Sequence, residues 1–168
     1  MLASHAANRD TFTVTTPSDD EIRMTRRFGA PRALVFEALT RPEHIKRWWG
    51  NLGEGYSVPV CEFELRIGGK WRFVNRHPNG EAGFHGEVRA IDPPARLEFT
   101  EIFDDFPDVV SVVTTTLDED GAGTRMTVTV RYPSKDVRDM VLGTGMAKGA
   151  AISYDRLDDL VIELSAGA

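Results

Sequence analysis

A single cysteine, Cys61, leaves the chain without an intramolecular disulfide, which fits a reducing compartment. No run of apolar residues is long enough to span a bilayer, and the opening MLASHAANRDTFTV lacks the apolar core of a secretory signal. Membrane insertion is therefore not expected, and the expected location is cytoplasmic. Positive charge is also in short supply. Twenty Lys and Arg against 26 Asp and Glu give a formal charge of −6. The densest basic group, Arg23, Arg26, Arg27 and Arg32, closely follows Asp19, Asp20 and Glu21, so it is a mixed stretch and not a phosphate-binding patch. Nucleic acid is not an expected partner.

Metal-ligand spacing is missing too. The four histidines, His5, His44, His77 and His85, form no pair at such spacing and have no Cys or carboxylate cluster beside them, so no metal is expected. A G-x-S-x-G elbow is absent, because Gly55-Tyr56-Ser57-Val58-Pro59 carries proline where the second glycine belongs. No cofactor is expected either. The nearest approach to a dinucleotide loop is GTGMAKG at 143–149, whose G-x-G-x-x-x-G spacing is suggestive. That fingerprint works only where a strand runs straight into the glycine turn. Here Val137, Arg138, Met140, Val141 and Leu142 come between, in a helical pattern.

What is present is enough for one domain: 168 residues, 41% hydrophobic and 27% charged. Residues 1–10 are small and polar and are expected to form a flexible tail, with one domain over 11–168. Residues 11–16 and 22–28 read as a hairpin or one bent strand around Pro17-Ser18-Asp19-Asp20. Pro31 then opens a short helix, and Thr40 is expected to cap a second one that ends at Trp48, Trp49 and Gly50. From 56 onward, short segments rich in Val, Phe, Thr and Trp (56–67, 70–75, 84–92, 96–103, 109–117 and 124–132) alternate with turn residues, which predicts a meandering antiparallel sheet. One long helix is predicted from 136 to about 164.

At 100° per residue, that helix puts Leu142, Met146, Ala150, Ser153, Leu157, Leu160, Val161 and Leu164 on one face. Lys148, Asp155, Asp158 and Asp159 fall on the other. The apolar stripe is large at its ends and small at its centre, where Gly149, Ala150 and Ser153 lie. Interior glycine costs about 0.8–1 kcal/mol relative to alanine. The small centre either lets the sheet approach closely or leaves room for a ligand.

Several separated motifs resemble a known family. AP-x-x-LVFEALT-x-PEHIKRWWG (30–50), CEFELRIGGKWRFV (61–74), G-x-V-x-x-I-x-P-P-x-R-L-x-F-T (86–100) and GM-x-x-G…DRLDDL (145–160) resemble the START-like (SRPBCC, Bet v 1-like) helix-grip proteins. The branch they resemble is the one named for the C-terminal domain of the heat-shock protein 90 ATPase activator. The resemblance spans about residues 20–164. It implies an α+β fold in which a curved antiparallel sheet of six to seven strands grips a long C-terminal helix, with two short helices after the first strand and a cavity between helix and sheet. It further implies three possible roles: carriage of a hydrophobic or amphipathic small molecule (lipid or aromatic, polyketide-like), a cyclase or dehydratase activity, or activation of a chaperone ATPase. A homodimer is a further possibility.

For such a cavity the candidate lining residues are Trp48, Trp49, Trp71, Phe73, Phe99, Met126, Met146, Gly149, Ala150 and Ser153. Taken alone, each aromatic reads first as ordinary core. Trp71 and Phe73 share one strand face; Leu97, Phe99 and Phe103 share another. Candidate acid–base groups are His85, Tyr154 and the pair Glu64 and Arg66, which would face one side of a strand; a solvated surface pair is the alternative for the last two. Cys61 has no cation beside it in sequence and reads as a packing residue.

Overall fold

The computed structural model describes residues 8–167. Eight strands, β1 (Thr13–Thr15), β2 (Glu21–Phe28), β3 (Ser57–Phe63), β4 (Lys70–His77), β5 (Gly80–Asp92), β6 (Arg96–Phe103), β7 (Ser111–Asp120) and β8 (Gly123–Arg131), form one antiparallel sheet in the order β1-β2-β8-β7-β6-β5-β4-β3. That is more strands than the six to seven expected, because residues 13–15 pair separately with β2 (Thr13 with Thr25, Val14 with Met24). Helices α1 (Arg32–Thr40) and α2 (Pro42–Trp48) carry the chain from β2 to the far edge strand β3, and the rest of the sheet is a meander. The fold is α+β and helix-grip, as the resemblance implied.

Pro31 precedes α1, its carbonyl accepting from the Leu34 and Val35 amides, and Pro42 occupies the first turn of α2, where its missing N–H costs nothing. Thr40 is not the cap expected of it. It is the buried last residue of α1, and its hydroxyl donates to the Phe36 carbonyl at 2.8 Å, leaving Arg41 at the cap position without a side-chain bond. The Trp48 indole donates to the Ala38 carbonyl at 2.9 Å and fastens α2 to α1.

The single C-terminal helix is two. Helix α3 (Lys135–Leu142) starts on Ser134, whose hydroxyl accepts from the Val137 amide at 3.2 Å. It stops at Gly143, and Gly145, at φ +80°, turns the chain into α4 (Met146–Ala166). A left-handed residue cannot continue a right-handed helix, and glycine adopts that conformation freely. The glycines that mimicked a cofactor loop are thus a helix break.

Inner-face side chains of the central strands (Ile22, Met24 and Phe28 of β2; Met126, Val128 and Val130 of β8; Val113 and Leu117 of β7; Leu97 of β6) form the core with Leu157, Leu160 and Val161 of α4. Asp158, expected on the solvent face, is fully buried. The reason is Arg26, also buried on the inner face of β2. Its Nη2 donates to Asp155 Oδ1 at 2.7 Å, and its Nη1 lies 3.8 Å from Asp158 Oδ2. Asp158 also accepts from the Gly29 amide at 3.1 Å and from the Asn8 side chain at 3.4 Å. Residues 1–7 of the expected tail lie outside the described residues, whereas Asn8 is buried in this cluster and not loose.

Candidate functional site

Cross-strand register draws one row of side chains over the inner face of the sheet. Phe63 pairs with Trp71, Trp71 with Gly86, and Glu101 with Ser111. The flanking pairs His85–Ile102 and Val88–Phe99 set Gly86 across from Glu101, and Val112–Arg131 sets Ser111 beside Tyr132. The row therefore runs Phe63, Trp71, Gly86, Glu101, Ser111, Tyr132. Strand alternation gives Glu101 the same face as Leu97, Phe99 and Phe103.

The N-terminal half of α4 reaches the same end of the sheet. Arg138 of α3 donates to the carbonyls of Ser18 and Glu21 at the start of β2; Glu21 pairs with Arg131, and Arg131 with Val112, next to the row. The C-terminal half lies toward the other end, where Asp158 meets Gly29. Burial follows this geometry along β6: Leu97 is buried, while Phe99, Glu101 and Phe103 are only half-buried. Met146, Gly149 and Ala150 of α4 are half-buried as well, and a methyl group built on Gly149 would meet only Leu52 Cδ1, at 3.8 Å.

Aromatic rings wall this region. Trp71 lies 4.7 Å from Phe73 and 5.2 Å from Phe99, Phe63 stands edge-on to Phe99 at 6.4 Å, and Trp49 is 5.1 Å from Phe73. Trp49, half-buried, stands at the margin of this wall. Trp48 is instead buried against α1 and against Tyr154, 6.3 Å away. Trp71, Phe73, Met126 and Ser153 are buried too.

Glu101 is the residue that sequence reasoning missed. Burial pushes its carboxyl up to about 7, with no charged group contributing, and it has no hydrogen-bond or ion-pair partner among the described residues. Burial, and after it the charge of Glu101, raises the phenols of Tyr132 and Tyr154. The signal was legible. Leu97, Phe99 and Phe103 share one strand face, and Glu101 has the same parity.

Of the four candidate acid–base residues, only Tyr154 points inward, its ring packed edge-on to Phe12 and Phe28. His85 lies on the outer face, opposite Arg72 in register; its Nδ1 is 2.8 Å from Asp104 Oδ1, and Arg72 grips the same carboxylate with both terminal nitrogens at 3.2 and 2.8 Å. A hollow of about 430 Å³ lies beside them, between Glu62, Lys70 and Arg72. Glu64 and Arg66 are not on a strand at all. They occupy the exposed β3–β4 turn, ion-paired at 2.9 Å, with Glu64 accepting from the Lys70 amide. Their chemistry is that of a solvated turn. Cys61 packs as expected: its thiol donates to the Pro42 carbonyl at 3.6 Å, and burial pushes it up to about 11.

The family model for Activator of Hsp90 ATPase homolog 1-like proteins matches residues 29–161. The chain belongs to this family. A crystal structure of a Rhodobacter sphaeroides protein is 29% identical, with a TM-score of 0.83, covering 91% of this chain and 99% of that one. A Mycobacterium smegmatis protein is 28% identical at a TM-score of 0.77, covering 89% and 97%. A Nitrosomonas europaea protein at 23% identity and a TM-score of 0.77 (90% and 99% covered) shares the fold. No curated protein matches. Among the described residues, no helix of this family member is long and apolar enough to cross a membrane.

Proposed function

We propose that the chain binds a hydrophobic or amphipathic small molecule on the inner face of the sheet, beneath the N-terminal half of α4. The observation that carries this reading is Glu101: an inward carboxyl without a partner among the described residues, set among Trp71, Phe99, Phe103 and Tyr132. Glu101 is half-buried, so part of its hydration is already lost, and a ligand that hydrogen-bonds it supplies a partner in place of that water. Ligand sites have this make-up, mostly apolar walls with a few polar groups that fix orientation. The accessible Phe99, Met146, Gly149 and Ala150 supply the walls. Uptake of the neutral dye Nile red tests it. The chain should enhance the dye's fluorescence, and Ala150→Phe should abolish the effect without lowering thermal stability. A wild-type chain that takes up no dye, or a variant that takes it up equally, defeats the reading.

The same carboxyl favours a second reading, an enzyme of the cyclase or dehydratase kind. A carboxylic acid titrating near 7 is suited to moving protons at neutral pH. Tyr154, whose phenol feels Glu101, would be its neighbour, and His85, Glu64 and Arg66 would take no part. Turnover lost in Glu101→Gln while dye uptake persists would distinguish it from simple binding. Activation of a heat-shock protein 90 ATPase rests on the family's description alone. Retention of such an ATPase on the immobilised chain supports that role, and no retention removes it.

A further inference from the structure

The charge balance of the inner face narrows the ligand. Following the strand registers, the inner positions from Cys61 and Phe63 on β3 through Trp71 and Phe73, Phe84 and Val88, Leu97 to Phe103, Ser111 to Leu117, and Met126 to Tyr132, to Ile22 through Phe28 on β2 include two charged residues, Arg26 and Glu101. Arg26 is neutralised by Asp155 and Asp158 of α4. No charged group on α1, α2 or α4 acts on Glu101, and the titratable side chains that do feel it, Tyr132 and Tyr154, are phenols held neutral. Among the described residues, the inner face therefore presents one uncompensated charge, and it is negative.

Next to that charge are π faces. Trp71, whose indole crosses Gly86 toward β6, stands beside Glu101 in the row, and Phe99 and Phe103 flank it on its own strand. Aromatic faces attract cations through the ring quadrupole, and a carboxylate adds a direct partner for a protonated nitrogen. An anionic ligand meets the opposite situation: like charge in a partly desolvated place, with no free cation among the described residues to offset it.

Resting on the binding reading above, we infer that this site selects aromatic amines: an apolar ring seated against Phe99 and Phe103, and a protonated nitrogen held by Glu101. Carboxylates such as fatty acids and aromatic acids are selected against. Because bound cation stabilises the ionised form of Glu101, which is partly protonated at neutral pH when empty, binding releases protons.

The test uses three probes with one ring: tryptamine, tryptophol and indole-3-acetate, titrated calorimetrically and by displacement of Nile red. The expected order is tryptamine, then tryptophol, then indole-3-acetate, with at least about tenfold between amine and acid, the factor that one modest charge pair supplies. Glu101→Gln should reduce that ratio to within about twofold. A measurement on the wild-type chain alone stands beside the variant: heats of tryptamine binding in buffers of different ionisation enthalpy near pH 7 should reveal net proton release. Equal affinity for amine and acid, preference for the acid, or a ratio unmoved by Glu101→Gln overturns the inference. So does Nile red uptake with no displacement by any of the three, in which case binding itself stands. If neither the dye nor any probe binds, the binding reading falls and the inference falls with it.

Discussion

The indole of Trp71 passes over the backbone of Gly86 and donates a hydrogen bond to the Thr100 carbonyl at 2.9 Å. The crossing is possible only because position 86 has no side chain. A Cβ there would lie 1.8 Å from the Thr100 oxygen and 2.6 Å from Trp71 Nε1. The first contact is with backbone, so no side-chain rotation can relieve it. Gly86→Ala should destabilise the chain by about 1–3 kcal/mol through overpacking, with further loss if the indole bond breaks. Urea denaturation measures it, and an unchanged midpoint would show that β5 and β6 part without cost.

Glu101 gives stability an unusual pH dependence. Its carboxyl is raised from the ordinary 4.5 to about 7, so between those values the folded chain holds a proton that the unfolded chain has released. Stability therefore falls as pH rises through this window, by an amount on the order of 2–3 kcal/mol. Asp104, held low chiefly by the hydrogen bonds of Arg72, acts in the opposite sense, and its contribution is lost only as pH drops below the usual carboxylate range. Subtracting the pH–stability curve of Glu101→Gln from that of the wild type isolates the effect. The difference should decline from pH 4.5 to 7 and be flat above. A flat difference throughout would mean that water solvates the carboxyl fully.

The sequence made most of this architecture legible because local signals agreed. Proline placed α1 and α2, and glycine and aspartate turns punctuated the meander close to where strands end. Legibility failed where one residue type serves two purposes. The glycines at 143 and 145 cost helix stability wherever they sit, and only a left-handed φ at Gly145 distinguishes a break from a small-residue stripe. Asp158 looked like a solvated face, since its partner Arg26 lies 132 positions away in the chain. Glu101 was concealed by the habit of excluding acids from an inner face, although alternation alone puts it there. Glu64 and Arg66 were misplaced for a simpler reason: β3 ends at Phe63, one residue before them.

Cys61 should be a slow thiol. Burial outweighs the nearby Lys46 and pushes the group up to about 11, so at pH 8 its thiolate fraction is roughly 10⁻³ against about a quarter for a free cysteine. Alkylation by iodoacetamide should run on the order of 100-fold slower in the native chain than in urea. A native rate within a few-fold of the unfolded one would mean that β3 opens readily at the sheet edge and exposes the sulfur.

Asp158 ties the C-terminal helix to three groups near the start of the chain: the Gly29 amide, the Asn8 side chain and the Arg26 guanidinium. Arg26 is 1% exposed and Asp158 not exposed at all, so water cannot replace what a substitution removes. Asp158→Ala should cost about 3–5 kcal/mol, the usual loss when a buried pair is left with one member. Asp158→Asn keeps an oxygen for the Gly29 amide and should cost less. Pairing Asp158→Leu with Arg26→Met removes both charges together and should cost less than the sum of the two single changes, because the two residues are coupled. Urea denaturation of these five variants reads this directly. Should Asp158→Ala remain within about 1 kcal/mol of wild type, Asp155, bonded to Arg26 at 2.7 Å, would be enough to balance the cation by itself, and the contact between Asp158 and Arg26 would be incidental.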